Sequence, residues 1–209
     1  IRDEYTDEER QQMKQRRDTA IANARRIIAN CGGKTHCLAI DFKIRMMTDV
    51  DYCNTSAFSC GEKELDDFFR YELKDCVKYK YLSAYCAVAE DGSLVALFTL
   101  MNDAIVISGQ DEKQDFIDDL RYDTDNASVD FFSRQPCFPA INIGHLGIST
   151  DYQGCGIGSS IIDLVVVTFS RYTQAGCQFV TVDAINNPKT LLFYHKNGFV
   201  HQTSRDINS

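Results

Sequence analysis

Three glycines at alternate positions, Gly154, Gly156 and Gly158, constrain the fold of this chain more than any other feature. They follow an alternating apolar stretch at 141–148, typical of a strand, and they open an apolar pattern of helical spacing at 157–175. Because glycine has no Cβ atom, the backbone can approach an anion closely and adopt positive φ angles. The helix that follows adds unpaired amide groups and the positive end of its dipole. The sequence therefore predicts a strand–loop–helix unit that binds a phosphate or pyrophosphate group.

The rest of the chain alternates between helix and strand patterns. Ser59 and Glu62 match a capping box and predict a helix that continues through the apolar positions of 65–77. Asp91 and Gly92 lie between two apolar runs and predict a hairpin. The other predicted elements are strands at 42–47, 84–89, 94–101, 141–148 and 179–184, helices at 157–175 and 188–197, and a last strand that begins at Phe199.

Residues 1–33 form a charged segment whose apolar residues recur at helical spacing. Thr6 and Glu9 match a further capping box at its start. We interpret the segment as a helix with a solvated outer face, and a partner-binding arm stays open as the alternative. Residues 1–40 are therefore predicted to be an N-terminal helical extension, and residues 41–209 the main domain.

Residues 109–139 are polar and acidic, except for a short helical patch at Phe116, Ile117 and Leu120. We predict a long surface excursion that ends at Pro136 and Pro139. Excursions of this length in a compact domain are often functional.

Charge and cysteine content exclude several classes of function. The 209 residues carry a formal net charge of −8, and the pI is near 5.0. These totals show no strongly basic face for nucleic acid, and a local basic patch stays open because net charge does not describe distribution. Nine cysteines occur without a C-x-x-C pair and with four histidines, so neither a closed zinc site nor any other metal is predicted. The first thirty residues are too charged for a signal peptide, and no apolar run approaches the roughly 20 residues of a membrane helix. We expect a cytoplasmic protein with reduced thiols and no membrane contact.

Three kinds of phosphate-binding loop compete for the glycine segment. A nucleoside-triphosphate loop requires Gly-Lys-Ser/Thr, and no lysine stands at that position. A dinucleotide-binding loop requires G-x-G-x-x-G directly after the strand. Here Ser159 takes the third glycine position and four residues separate Ser149 from Gly154, although Asp183 at the end of the next predicted strand keeps that reading open. The segment from Gln153 to Gly158 fits the third pattern, Q/R-x-x-G-x-G/A, better than it fits either of the others.

This loop, followed by F-Y-x-x-N-G-F at 193–199, resembles the GNAT superfamily of N-acetyltransferases. The resemblance extends from about residue 42 to residue 199, and the segment at 58–69 is similar to a bacterial branch whose members include toxins that acetylate aminoacyl-tRNA. It implies a mixed α/β fold with a splayed sheet flanked by helices, opening as a cleft between strands 141–148 and 179–184. Two departures are evident: little sequence remains for the superfamily's final strand, and the first forty residues have no counterpart.

The resemblance implies a binding site for acetyl-coenzyme A built mostly from backbone groups. Its residues fall into three sets: a loop for the pyrophosphate, a strand end for the pantetheine arm, and a contact from the next crossover. These are, respectively, Gln153, Gly154, Cys155, Gly156, Ile157, Gly158 and Ser159; Leu146, Gly147 and Ile148; and Asn187. A nucleophilic role for Cys155 is not supported, because the sequence places no acid–base partner for its thiol.

Two side chains are candidates for catalysis. The resemblance places Tyr194 near the thioester sulfur, where it would act as general acid to the departing thiolate. It also counts Tyr194 among the residues that contact the cofactor. A core-packing role is the alternative. His145 titrates near neutral pH and is a candidate general base, with a channel or core role as the alternative.

The expected function is direct transfer of an acetyl group from acetyl-coenzyme A to a primary amine without an acyl-enzyme. A catalytically weak acetyl-coenzyme A-binding or regulatory module is the alternative, and so is a toxin-type enzyme that acts on aminoacyl-tRNA. Among acceptors, a small-molecule amine, a peptide amine and aminoacyl-tRNA stay open, as does a homodimer.

Overall fold

A computed structural model describes residues 42–107, residue 113 and residues 126–200, without the side chains of 126–129. The predicted N-terminal helix at 1–33, the helical patch near residue 117 and the tail at 201–209 lie outside the described residues.

The five strands predicted between residues 42 and 184 are present in the predicted order, whereas the helices Asp49–Asn54 and Asn126–Arg134 were not predicted. In chain order they are strand β1 (Phe42–Met46), helix α1 (Asp49–Asn54), helix α2 (Lys63–Tyr71), helix α3 (Leu73–Lys78), strand β2 (Ser83–Ala89), strand β3 (Leu94–Val106), helix α4 (Asn126–Arg134), strand β4 (Cys137–Ile148), helix α5 (Ile157–Ser170), strand β5 (Phe179–Val182) and helix α6 (Pro188–Lys196). Single turns of 3-10 helix at Thr55–Ala57 and Thr150–Tyr152 join some of these elements.

The strands form one mixed sheet in the order β1-β2-β3-β4-β5. Neighbouring strands are antiparallel from β1 to β4, while β4 and β5 are parallel. The parallel pair requires a crossover, and α5 supplies it, as is usual for such connections. This arrangement confirms the predicted mixed α/β fold.

Each face of the sheet buries its own apolar cluster. On one face α5 packs on β3 and β4 through residues such as Ile161, Ile162 and Val165, and Tyr194 of α6 joins this cluster. On the other face α2 and α3 cover the sheet through Phe69 and Leu73, which are 2% and 1% exposed. Since period-2 alternation places successive side chains of a strand on opposite faces, β3 supplies apolar residues to both clusters.

Local signals explain several element boundaries. Gly92 in the β2–β3 turn has φ +85°, a conformation that favours glycine. Helix α6 has Asn187 as its N-cap and Pro188 in its first turn, and Gly198 with φ +86° follows its end. These elements are the ones that the sequence predicts most accurately.

Other predicted boundaries are wrong. The Ser59–Glu62 capping box does not form, because Ser59 Oγ donates to Asp66 Oδ2 at 2.6 Å and α2 begins after Glu62. The helix predicted through 65–77 bends at Glu72, although backbone hydrogen bonds continue across the bend. Helix α1, which the sequence analysis missed, carries the capping box instead, with Thr48 and Asp51.

The second half of the chain also shows shifted boundaries. Strand β4 begins at Cys137, so Pro139 lies inside a strand rather than at the end of a surface excursion. Helix α5 ends at Ser170, earlier than predicted. Phe199 and Val200, the last described residues, are not in a strand. Among the described residues, no helix has the length and apolar character needed to cross a membrane.

Candidate active site

The sheet opens between β4 and β5, as the sequence analysis expected. Strand β5 pairs with β4 only from Ala140 to Ile143, opposite Phe179 to Val182. Strand β4 continues to Ile148, and its last residues pair on the other side with β3. In an antiparallel pair, alternate residues direct their backbone groups away from the partner strand. The end of β4, which includes Leu146, Gly147 and Ile148, therefore presents backbone groups to the gap.

A bulge in β4 marks the point where the sheet opens. Thr99 is opposite His145, whereas Leu100 is opposite Ile143, so Gly144 is an extra residue on β4. A Cβ atom on Gly144 would lie 2.6 Å from Met101 Cε and 3.6 Å from Asn142 Oδ1. A side chain at residue 144 would therefore require the end of the Met101 side chain to move.

The glycine loop has the geometry of an anion site. Gly154 and Gly156 both have φ +80°, a conformation that side chains strongly disfavour. Gly156 is the N-cap of α5, and no side chain caps this helix. The first turn of α5 carries no acidic residue. Its first amide groups and the positive end of its dipole are therefore available to a phosphate.

The Gln153 side chain fixes the start of this loop. Its Nε2 atom donates to the carbonyl oxygen of Cys60 at 2.7 Å and to that of Ile148 at 3.1 Å. One amide thus ties the end of β4 to the segment before α2. The loop pattern assigns only the backbone amide of Gln153, and no local pattern predicts a side-chain bond between residues 93 positions apart.

Gly158 joins the loop helix to the helix that carries Tyr194. A Cβ atom on Gly158 would lie 3.0 Å from Phe193 Cζ and 3.3 Å from Phe193 Cε2. The Phe193 ring in turn lies 5.1 Å from the Tyr194 ring, edge to face. Gly158 therefore has a packing role in addition to its place in the motif.

Tyr194 is buried, with 9% of its surface exposed. Its ring packs edge-to-face against Phe199, with centroids 5.4 Å apart. Burial raises the pKa of the Tyr194 phenol to about 12. Within the described residues its hydroxyl group has no hydrogen-bond partner. The phenol therefore stays protonated at neutral pH and can donate a proton.

His145 lies on the other face of the sheet. Its ring stacks on Phe68, with centroids 3.7 Å apart and planes 9° apart, and Nδ1 lies 3.0 Å from Thr99 Oγ1. Burial lowers the pKa of His145, and the negative charge of Asp183 opposes this shift only in part. The imidazole is therefore neutral at pH 7 and can accept a proton.

The remaining predicted site residues have contacts of their own. Asn187 Oδ1 accepts a hydrogen bond from the Thr190 amide at 2.8 Å, so this atom caps α6. Cys155 is half-buried against the apolar cluster under α5. The described residues contain no group of three or more His, Cys, Asp or Glu side chains that could hold a metal ion.

Several side chains at the site were not predicted. They share a position beside the opening of the sheet, either on the strands or on the helix above, and they are Thr99, Asn142, Phe68, Asp103 and Thr181. Phe68 lies within the predicted helix, but the sequence does not place it beside His145, and strand pairing brings the other four residues to the site. Asp183, considered only for a nucleotide ribose, accepts a hydrogen bond from Asn142 Nδ2 at 3.3 Å.

Comparisons with known proteins agree with this geometry. Residues 112–201 match the family model described as an acetyltransferase (GNAT) domain. No curated protein matches the chain at a significant level. The family match and the fold confirm the resemblance that the sequence indicates.

Similar solved structures include bacterial toxins and their complexes. A tyrosine-to-phenylalanine mutant of KacT has a TM-score of 0.60 and 20% identity, over 79% of this chain and 90% of that chain. AtaT complexed with acetyl-methionyl-tRNAfMet has a TM-score of 0.59 and 23% identity, over 77% of this chain and 87% of that chain. A mutant AtaT toxin bound to the C-terminus of the antitoxin AtaR and acetyl-CoA has a TM-score of 0.60 and 22% identity, over 79% of this chain and 88% of that chain.

Proposed function

We propose that this chain, an acyltransferase with a GNAT acetyltransferase domain, moves an acetyl group from acetyl-coenzyme A to a primary amine. One observation carries the proposal. The uncapped start of α5 and the two glycines before it, both with φ +80°, follow the end of β4 after one short turn, and that strand end is not paired with β5. An anion site beside an open strand edge suits a substrate with a pyrophosphate at one end and an amide-rich arm at the other.

The backbone supplies most of the binding contacts in this proposal. The amides from Gln153 to Ser159 hold the pyrophosphate, and the positive φ angles of Gly154 and Gly156 suit a loop whose amides bind an anion. Leu146, Gly147 and Ile148 pair with the pantetheine amides in the manner of an added strand. Asn187 contacts the same substrate through its remaining amide nitrogen, since its oxygen caps α6.

The transfer is direct, with no acyl-enzyme. The amine nitrogen forms a bond to the thioester carbonyl carbon, the carbon–sulfur bond breaks, and a proton from the amine is balanced by protonation of the sulfur. Tyr194 donates a proton to the departing thiolate and is restored by a proton from the amine or from water. A phenol whose pKa is raised to about 12 stays protonated throughout the physiological range, which this role requires.

His145 is proposed to accept the proton that the amine loses before it attacks. Burial lowers the pKa of this imidazole, which keeps it in the neutral form that accepts a proton. Its bond to Thr99 Oγ1 fixes the orientation of the ring. Tyr194 and His145 pack on different faces of the sheet, so the proposed proton donor and proton acceptor lie on opposite sides of it.

Isothermal titration of the chain with acetyl-coenzyme A tests the proposal, with NAD and ATP as controls. We expect acetyl-coenzyme A to bind and the two nucleotides to bind at least tenfold more weakly. Comparable binding of NAD would support the dinucleotide reading of the glycine loop instead. Binding of acetyl-coenzyme A without thiol release in the presence of any amine would identify a cofactor-binding module rather than an enzyme.

Aminoacyl-tRNA is a second candidate acceptor, and an exposed surface favours it. Helix α3 and the turn after it carry Lys74, Lys78 and Lys80, next to exposed tyrosines at 79 and 81. Lysines interleaved with exposed aromatic rings suit a phosphate backbone and unstacked bases. Arg70, one helical turn before Lys74, is a further basic residue near this surface. It does not extend the surface, because its Nη2 atom donates to the Phe58 carbonyl oxygen at 2.9 Å.

Acetylation of a mixture of aminoacyl-tRNAs with labelled acetyl-coenzyme A tests this candidate. If tRNA is the acceptor, replacing the three lysines with Ala should lower kcat/KM for tRNA and leave the affinity for acetyl-coenzyme A unchanged. Replacing Lys43, Lys189 and Lys196 with Ala removes the same charge elsewhere and is the matched control. Equal activity in both triple variants would exclude this surface.

A further inference from the structure

A polar patch lies on the sheet face beside the opening between β4 and β5. Asn142 of β4 is opposite Met101 of β3 and Thr181 of β5. Thr181 Oγ1 donates to Asp103 Oδ2 at 2.6 Å, and Asn142 Nδ2 donates to Asp183 Oδ2 at 3.3 Å. Three strands thus bring two carboxylates together around one amide, and we call Asp103, Asn142, Thr181 and Asp183 the carboxylate patch.

Asn142 has an unused acceptor at the centre of this patch. Its side chain is 3% exposed, and Oδ1 has no hydrogen-bond partner among the described residues. A buried amide oxygen without a partner costs free energy, and the cost persists unless a ligand or water supplies a donor. Oδ1 points toward Gly144, lying 3.6 Å from the position of a Cβ on that residue. The unused acceptor therefore faces the bulge where the sheet opens.

The methyl end of Met101 covers the same space. Met101 Cε would lie 2.6 Å from a Cβ on Gly144, next to the direction in which Asn142 Oδ1 points. Methionine is unbranched and has three rotatable bonds, so it can turn away at low cost when another group enters. Rotation of Met101 would expose the unused acceptor to a donor.

The charge of the patch selects for cations. The hydrogen bond from Thr181 lowers the pKa of Asp103, which is therefore ionised at neutral pH. Asp103 and Asp183 are both exposed, and neither forms an ion pair with a described Lys, Arg or His side chain. His145, whose pKa is influenced by the charge of Asp183, is neutral because burial lowers its pKa. Two negative charges thus stand without a positive partner in the described part of the chain.

We infer that the carboxylate patch is the binding site for the acceptor, and that the acceptor is a cationic amine that carries a second positive charge. One carboxylate binds each ammonium group, and Asn142 Oδ1 accepts a hydrogen bond from the group that is to be acetylated. The inference rests on the proposed function, since it names the acceptor class for the same site. It also weighs against a polyanionic acceptor, which two uncompensated carboxylates would repel.

Three amines with the same four-carbon chain test this inference: 1,4-diaminobutane, butylamine and 4-aminobutanoate. At neutral pH they carry two, one and no net positive charges. Each amine is titrated calorimetrically into the chain saturated with coenzyme A. Coenzyme A is the product of the transfer and carries no acetyl group, so the amines can bind but cannot be acetylated. We expect 1,4-diaminobutane to bind at least tenfold more tightly than 4-aminobutanoate, with butylamine between them.

Two double variants locate the preference. Asp103→Asn with Asp183→Asn should remove the difference between the three amines. Asp163→Asn with Asp75→Asn, exposed aspartates on α5 and α3, removes the same charge elsewhere and should leave the difference intact. If the first double variant loses its cooperative thermal transition, Asp183→Asn alone should reduce the difference at least threefold.

Each outcome bears on a separate claim. Similar affinities for all three amines, or a preference that survives Asp103→Asn with Asp183→Asn, would overturn the inference even if coenzyme A binds. If coenzyme A does not bind, the proposed function fails, and the same titrations on the chain alone still decide whether the patch selects a dication.

Discussion

Gly158 on helix α5 lies directly against Phe193 on helix α6: a Cβ atom on residue 158 would be 3.0 Å from Phe193 Cζ. The contact joins the phosphate loop to the helix that carries Tyr194. Because the two helices meet where one residue has no side chain, the distance between the loop and the Tyr194 phenol depends on this glycine.

Gly158→Ala should therefore destabilise the chain and impair catalysis. We expect a loss of about 1–3 kcal/mol in the free energy of unfolding, because the new methyl group forces Phe193 to move. Turnover should fall more than the affinity for acetyl-coenzyme A, since α6 shifts while the loop amides remain. Urea denaturation and thiol-release kinetics measure both. Asp163→Ala on the exposed side of α5 should change neither.

Gly156→Ala should weaken binding of acetyl-coenzyme A at least tenfold. Residue 156 has φ +80°, and alanine in this conformation costs about 1–2 kcal/mol, so the loop should relax away from the anion site. Gly92→Ala is a matched control, because Gly92 has φ +85° in the β2–β3 turn and open space around it. Both variants should lose similar stability, and calorimetry should detect weaker binding only for Gly156→Ala. An equal loss of affinity in both would contradict a specific role for the loop.

Tyr194→Phe should lower turnover about 100-fold or more while the affinity for acetyl-coenzyme A stays within about twofold. The melting temperature should not fall, because the hydroxyl group forms no hydrogen bond with a described residue that the substitution would remove. Tyr152→Phe is the control. It removes a hydroxyl group that lies 3.3 Å from Ser93 Oγ, and turnover should be retained. An unchanged rate in Tyr194→Phe would exclude the general-acid role.

Stability should fall as the pH drops below about 6.5, and His145 should account for part of the fall. Burial lowers the pKa of His145 in the folded chain below the ordinary value of 6.5, so the unfolded chain binds a proton more readily. Stability from this group is therefore present above pH 6.5 and is lost as the pH falls toward the folded pKa. Denaturation of the wild type and His145→Gln at pH 7.5, 6.5 and 5.5 should show a shallower pH dependence for the variant. His195→Gln, at an exposed position, should behave as the wild type does.

Gln153→Leu should raise KM for acetyl-coenzyme A and lower stability by about 1–3 kcal/mol, because two carbonyl groups lose their shared donor. Gln153→Glu should have a similar effect, since a carboxylate cannot donate to carbonyl oxygens. Gln178→Leu, at an exposed side chain, is the control. Steady-state kinetics with acetyl-coenzyme A as the varied substrate measure the effect, and an unchanged KM in both Gln153 variants would restrict the side chain to a structural role.

Much of the candidate site could be predicted because its signals are local. Positive φ angles at Gly154 and Gly156 require glycine, and the loop stands between a strand pattern and a helix pattern. The signals for helix α6 all lie within or next to the helix: Asn187 caps its start, Pro188 is in its first turn, and Gly198 follows its end. The failed capping box at Ser59 shows the limit of such signals, since Ser59 has a partner in Asp66 that the motif does not consider.

The sequence by itself determined the order of the strands, the glycine loop and the helix that carries Tyr194, because short-range backbone preferences and hydrophobic periodicity fix these features. The tertiary structure alone decided which side chains meet at the opening of the sheet. Asp103 and Thr181 form a hydrogen bond across 78 positions, and the bulge at Gly144 sets the register that brings His145 opposite Thr99. Strand register and parallel pairing arise from packing of the whole sheet, so no local pattern specifies them.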